Sequence, residues 1–289
     1  MTARTRKGGR RMTAIIMCAS LAASAALTSW HDTTALSSTI YDIGSSVIPA
    51  GFEGFRIVQV SDLHQGRFGP GQSRLAAAIR RAAPDIIVFT GDLIDGDDTS
   101  PATQLIAALQ GLAPMYYVTG NHEARTAAYD TFRIWAGGHG VTVMDGCVRA
   151  ITRGDDEIAL LGIADPEVLG AQDDAAAIGR QLTELMPQAA GRCRVLLAHR
   201  PEQMAVYAAY GIDLALTGHA HGGQIRLPGI GALFAPDQGL LPRYDHGIYT
   251  MAGTTMVLSR GLGCSVVPIR LFNPAELVTV VLHHGPSAD

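Results

Sequence analysis

Leu214-Ala215-Leu216-Thr217-Gly218-His219-Ala220-His221-Gly222-Gly223-Gln224 passes from an apolar run directly into two glycine-flanked histidines. The run up to Thr217 reads as a buried strand, and the glycines after it break the strand and turn the chain. Histidines two residues apart on an extended or tightly turned segment present their rings to one rim, where imidazoles can reach metal ions. Taken alone, the pair is equally a chance occupancy of a loop.

The same switch from apolar strand to polar cluster recurs upstream. Phe55 to Val60 is nearly continuous in apolar and β-branched character and runs into Ser61-Asp62-Leu63-His64. Asp62 and His64 form a chelating pair if the segment stays extended; the alternative is an Asp that starts a turn beside an incidental histidine. A helix is expected from Ser73, a plausible N-cap, to Ala83, with Pro84-Asp85 breaking it. The strand Ile86 to Phe89 then delivers Thr90-Gly91-Asp92-Leu93-Ile94-Asp95, where Gly91 lets the backbone turn so that Asp92 points into a cleft. Asp95 reads either as a partner of a neighbouring ligand or as the cap of the next turn, and direct metal contact is not expected of it. Met115 to Val118 delivers Thr119-Gly120-Asn121-His122-Glu123. A helix expected over Ala124 to Ala136 places Glu123 in its first turn, where a carboxylate suits the dipole. Arg194 to Ala198 ends in His199.

Elsewhere the pattern predicts short strands over 141–144, 147–152 and 158–162, a helix over 173–186, strands over 223–227 and 256–259, and a closing strand over 276–282. His139 sits in a glycine-rich loop and carries no assignment.

Composition restricts the function. The chain has 289 residues, 47% of them hydrophobic, enough for a substantial core. Its net charge of −4 conceals an asymmetry. Residues 1–27 hold five basic side chains (Arg4, Arg6, Lys7, Arg10, Arg11) and no acid, so the remainder carries 17 basic against 26 acidic residues. That body has no basic surplus to track a nucleic-acid backbone, and no nucleic-acid partner is expected. Met12 to Leu27 is apolar and directly succeeds the basic cluster. This is the layout of an export signal or an uncleaved membrane anchor over residues 1–30, and both place the remainder of the chain on the extracytoplasmic side. Residues 31–50 read as a linker with an edge strand over 39–43, residues 51–284 as one domain, and 285–289 as a tail. The four cysteines form no paired spacing and read as small buried hydrophobes.

Five strands thus end in ligand-type residues, and in open α/β sheets sites form outside the carboxyl ends of strands. Each cluster has an ordinary explanation; five together point to a shared metal site. The order Asp-x-His, Gly-Asp-x-x-Asp, Gly-Asn-His-Glu, His and Gly-His-x-His resembles the calcineurin-like metallophosphoesterase superfamily over about residues 51–282. Gly222 to Pro228 and Ser259 to Gly263 resemble its bacterial membrane-associated branch. Gln65, Glu123 and Ala220 depart from the common pattern, and none removes a ligand.

The resemblance implies an α/β fold of four layers, two mixed β-sheets flanked by helices. It implies two divalent metal ions, Mn, Zn or Fe: one held by Asp62, His64, Asp92 and His221, the second by Asn121, His199 and His219 with Asp92 bridging. His122 would be the catalytic general acid. The implied partner is a phosphate-ester substrate, a lipid or a nucleotide-sugar. UDP-2,3-diacylglucosamine cleavage in lipid A synthesis is one implied activity, which the expected orientation opposes, and a phospholipid or envelope phosphodiester is another. The competing expectation is a non-catalytic metal or phospho-ligand binding protein on the same fold; a protein phosphatase has no support beyond the shared superfamily.

Overall fold

A computed structural model describes residues 3–265 and 267–285; apart from Gly285, the expected tail lies outside the described residues. Two six-stranded sheets form the centre. The first runs in the order β1 (Leu36–Ser45), β16 (Ala275–His284), β2 (Phe55–Val60), β3 (Ile86–Thr90), β4 (Met115–Val118) and β5 (Val141–Val143). The second runs β14 (Gly247–Met251), β15 (Thr254–Leu258), β9 (Leu214–Thr217), β8 (Cys193–Leu197), β7 (Asp156–Gly162) and β6 (Cys147–Arg153). Both are mixed. Strands β2 to β5 are parallel, as are β7, β8, β9 and β15, while β16 is antiparallel to β2 and the edges β6 and β14 are antiparallel to their neighbours.

Alternation along each strand divides the side chains between two cores. Ile57, Val88 and Val118 of the first sheet meet Val195, Leu197 and Leu216 of the second, forming the apolar layer between them. The opposite faces are covered by helices. Val58, Phe89 and Tyr117 pack under α2 (Ser73–Arg81), α3 (Ser100–Leu109) and α4 (Tyr129–Gly138). Leu161, Leu196 and Ala215 pack under α5 (Asp174–Leu185) and α6 (Met204–Ala209). The expected four layers are present.

The differences lie at edges and ends. The expected linker contains a ten-residue strand, β1, paired in parallel with β16 from Leu36 to Ser45. An edge strand faces solvent on one side, so its Ser, Thr and Gly content masks it as a tether. In the second sheet the edge strand β14 also escapes the sequence pattern. The helix expected from Ala124 begins at Tyr129, after a short 3₁₀ turn over Glu123–Arg125. Gln72, not Ser73, precedes α2, and its side chain is engaged by the Phe68 amide and the Gly66 carbonyl. Of the strand expected over 223–227 only β10 (Arg226–Leu227) forms; it pairs with β11 (Gly231–Ala232), and a second small hairpin follows, β12 (Phe234–Ala235) with β13 (Gly239–Leu240). Of the cysteines only Cys193 is buried; Cys18 is exposed and all four are free.

The N-terminal apolar run lies within α1 (Ala3–Thr34). Among the described residues no helix is long and apolar enough to cross a membrane. The end of α1 is fixed to the domain: Asp32 accepts the Asn273 amide at 3.0 Å and Thr33 accepts the Arg270 amide at 3.0 Å.

Ile57 is fully buried in the layer between the sheets. Ile57→Ala is expected to lower stability by about 2–5 kcal/mol, because the cavity there is walled by two sheets and collapses poorly. Urea unfolding should show a lower midpoint with an unchanged slope.

Candidate metal centre

Strands β2, β3 and β4 of the first sheet and β8 and β9 of the second release their chains at one edge of the sandwich. There Asp62, His64, Asp92 and His221 form one cluster of donor atoms lying within 4.8 Å of one another, and Asp92, His199 and His219 form a second. Asp92 belongs to both. Asn121 joins the second cluster, with Oδ1 3.2 Å from His199 Nε2. His122 stands at the rim with Nε2 4.0 Å from Asp92 Oδ2. All eight residues singled out in the sequence therefore meet. His139 stays outside, stacked on Trp135, and His283 pairs with Asp42 and Glu53.

The backbone explains why glycines flank these residues. Asp62, His64, Asp92, His219 and His221 all have φ between 47° and 69°. Left-handed backbone costs a non-glycine residue on the order of 1–3 kcal/mol and persists only where its surroundings enforce it, a pattern that clusters at functional sites. The enforcement is visible. Asp62 Oδ1 accepts the His219 amide at 2.9 Å, and Asp92 Oδ1 accepts the His122 amide at 2.8 Å. A Cβ on Gly120 would lie 2.3 Å from Asp92 Oδ1, and one on Gly218 would lie 2.0 Å from Ser61 Oγ. Only glycine allows these loops to close on the carboxylates.

The donor set suits divalent cations. His199 Nδ1 donates to the Thr90 carbonyl at 2.8 Å, which turns Nε2 toward Asp92 Oδ2 and His219 Nδ1, both at 3.2 Å. His64 Nε2 and His221 Nε2 face each other at 3.1 Å, with Asp62 Oδ1 3.3 Å from the latter. His221 Nδ1 is buried with no hydrogen-bond partner. The Asn121 amide works in two senses. With its NH₂ inward it donates to His219 Nδ1 at 3.0 Å; with its oxygen inward it completes a gap walled by acceptors. Buried acceptors facing one another repel unless a proton or a cation lies between them.

The titration properties result from this crowding. Burial pulls His199 down, but the adjacent Asp92 carboxylate outweighs it and holds the imidazolium up to about 10. Burial and the neighbouring His64 hold His221 well below its ordinary value, hence neutral. Burial opposes ionisation of Asp92, yet His199 and His64 keep it well below the usual carboxylate range. The neutral His221 imidazole is in the form that binds a metal, and beside Asp92 a cation would take the place of the His199 proton.

Comparison with known proteins agrees with this geometry. Residues 55–223 match the family model described as calcineurin-like phosphoesterase. The chain belongs to that family. The metallophosphoesterase YkuE of Bacillus subtilis is 30% identical over 253 residues, covering 86% of this chain and 85% of its own. Phosphodiesterase YaeI of Escherichia coli is 28% identical over 225 residues, 75% of this chain and 78% of its own. The cattle transmembrane protein with metallophosphoesterase domain is 29% identical over 257 residues, 83% of this chain but 55% of its own, so this chain spans about half of it. The protein is a metal-dependent phosphoesterase.

Several further residues of this calcineurin-like phosphoesterase support the cluster, and among them only Asp95 has a local sequence that suggests a partner role. Glu123, expected in a helix's first turn, is buried and accepts four backbone amides, from Asp92 (2.9 Å), Leu93 (2.7 Å), Ile94 (3.1 Å) and Gly120 (2.7 Å). Burial and the Asp92 charge push its pKa up to about 7, against the pull of those amides. Asp95 lies between two imidazoles, 3.0 Å from His122 Nδ1 and 3.5 Å from His64 Nδ1. Of its two readings, the partner role is the one the geometry adopts. Asp237 accepts from His219 Nε2 at 2.7 Å and from Arg200, which also grips Asp165 with two bonds of 2.6 and 3.0 Å. Carboxylates of this kind fix the tautomer and orientation of ligand histidines. Asp237 is not preceded by a core strand, so nothing in its local sequence marks it.

Glu123→Gln keeps the size but leaves one oxygen and one NH₂ against four donors. It should lower metal-dependent kcat/KM by about 10- to 100-fold, measured at saturating metal, with the far-ultraviolet spectrum unchanged. The pairing with His64 and then His122 lowers Asp95 to about 2, below its unfolded value of 3.8. Its stabilisation is therefore present above about pH 4 and lost as the pH falls toward about 2. Asp95→Asn should flatten the stability profile in that window, read by denaturant titration at each pH.

Proposed function

We propose that this phosphoesterase holds two divalent cations, Mn, Zn or Fe, and hydrolyses a phosphodiester, pyrophosphate or phosphomonoester bond of a membrane or cell-envelope substrate. Asp62, His64, Asp92 and His221 would hold one cation. Asn121, His199 and His219 would hold the other, with Asp92 shared. The observation that carries this reading is the pair of acceptor-lined gaps joined by the single carboxylate of Asp92.

Cations held there would supply a water deprotonated at neutral pH and positive charge for the phosphoryl oxygens. The chain's own residues do the rest. The His122 amide is tied to Asp92 Oδ1, which fixes the ring at the mouth of the cleft. Asp95 accepts from His122 Nδ1, so Nε2 is the atom that presents a proton to the leaving oxygen. Ser265 Oγ stands 3.4 Å from that same Nε2. Glu123 keeps the Asp92 and Asn121 loops in register beneath it.

The name of the Escherichia coli relative, a phosphodiesterase, supports a diester as substrate, and that of the cattle relative, a transmembrane protein, supports action at a membrane. The basic cluster ahead of the apolar run supports an extracytoplasmic site. A nucleotide-sugar is expected on the other side, which favours a phospholipid or envelope diester.

Hydrolysis of bis-p-nitrophenyl phosphate with added Mn²⁺ tests the reading. Asp92→Ala should lose at least about 10³-fold in turnover, since both clusters lose a ligand at once. His122→Ala should lose about 10²- to 10⁴-fold while retaining its metal by elemental analysis. Metal loss in His122→Ala would assign that residue to binding instead, and equal turnover by wild type and Asp92→Ala would reject the proposed site.

A further inference from the structure

Beside the metal centre lies an apolar cavity of about 310 Å³ that the hydrolytic chemistry does not use. It shares walls with the centre: His221 forms one side, and Ser265, the hydroxyl facing His122 Nε2, forms another. The rest of the wall comes from Ile225, Leu233, Phe234 and Val267, and none of its described lining residues is an acid, Lys or Arg. The cavity therefore adjoins the rim at His122, and most of its wall there is hydrocarbon.

The wall is built, not incidental. Arg270, fully buried, donates to the carbonyls of Gly263 (3.1 Å), Arg260 (2.9 Å) and Asn273 (3.4 Å), which fixes the loop that carries Ser265 and Val267. Gln224 donates to the Val267 carbonyl at 2.8 Å, joining that loop to the hairpins opposite. The mouth is exposed and apolar: Phe234 is 54% and Val267 40% accessible, and Leu240 and Leu241 nearby on the hairpin segment are 81% and 65%. The same loop binds the end of α1 through Arg270 and Asn273, and α1 exposes Trp30 and Leu27 along its length. Solvent-facing apolar side chains at a cavity mouth carry a cost that burial in lipid or against an alkyl chain relieves.

We infer that this cavity takes the alkyl chain of an amphipathic phosphodiester, a membrane lipid whose phosphate lies at the cations while its hydrocarbon arm runs between Phe234 and Val267. The inference rests on the phosphoesterase reading above and deepens it. The hairpin segment, with Phe234 and Leu240 paired across β12 and β13 and Leu241 directly after them, all exposed to solvent, is the feature it explains.

A series of alkyl p-nitrophenyl phosphates with methyl, butyl and octyl arms, assayed with Mn²⁺, tests it. Each buried methylene contributes about fourfold to binding, so kcat/KM should rise by at least about tenfold from butyl to octyl. In Phe234→Glu and Val267→Glu, both at accessible positions that tolerate a polar side chain, the octyl-to-methyl ratio should fall toward one. Calorimetry supplies a readout independent of turnover: octylphosphonate should bind wild type at least about tenfold more tightly than methylphosphonate, with a more negative heat-capacity change. If every diester in the series is inert, the phosphodiester reading fails, and the phosphonate calorimetry alone then decides the alkyl site. If all are hydrolysed with no dependence on chain length, or if the dependence survives both substitutions, the alkyl site is overturned and the hydrolytic reading stands.

Discussion

The carboxylate of Glu123, bonded to four backbone amides from two different loops, is the constraint on which the rest of the centre depends. Burial and the Asp92 charge raise its pKa to about 7, and the N–H dipoles of those amides oppose the rise. What it gains is geometry. Asp92 and Asn121 arrive from neighbouring parallel strands, and without a common acceptor their loops would be free to open independently. With it, the Asp92 backbone is held in its left-handed conformation and the side chain is committed to the point where the clusters join. A strained φ at the shared residue is the cost, and the amide bonds are what offset it.

A second constraint is the layer between the sheets. The first sheet contributes Asp62, His64, Asp92, Asn121 and His122, and the second His199, His219 and His221. Neither sheet alone holds a complete cluster, so donor positions depend on how Ile57 and Val88 seat against Val195 and Leu216, some way from the chemistry. The carboxyl ends of parallel strands meet here because both sheets are parallel at their centres.

The parts of this molecule that could be read from the sequence share one physical cause. A central strand covered on both faces is a run such as Ile86-Ile87-Val88-Phe89, and polar ligand-type residues recurring at the ends of five such strands point to chemistry. That contrast made Asp62, Asp92, Asn121, His199 and His219 legible. It weakens where burial is one-sided: of the edge strand β1 only the stretch 39–43 is legible, and the edge strand β14 is missed. It fails for residues whose meaning lies in distant partners. Glu123 has the same local sequence whether it begins a helix or binds the Asp92 loop, and only the delay of α4 to Tyr129 decides between the two. Asp237 sits in a turn 18 residues beyond the histidine it orients, and Arg200 becomes significant only when Asp165 and Asp237 converge on it.

Those same distant partners give the cleft two chemically different sides. On the side of His199 and His219 the surroundings are charged, with Arg200 held by Asp165 and Asp237 and Arg125 held by Glu167 at 2.7 and 2.8 Å. On the side of His221 and Ser265 the wall turns to Ile225, Leu233, Phe234 and Val267. A phosphate seated between them would extend one ester arm into a network of fixed charges and the other into hydrocarbon. Fixed ion pairs can accept a polar head group by exchanging hydrogen bonds, whereas the apolar wall can reward only alkyl burial. A small symmetric diester would meet a mismatch at one end, while an amphipathic one would meet none, so the division of the cleft selects by polarity before any residue recognises a particular head group.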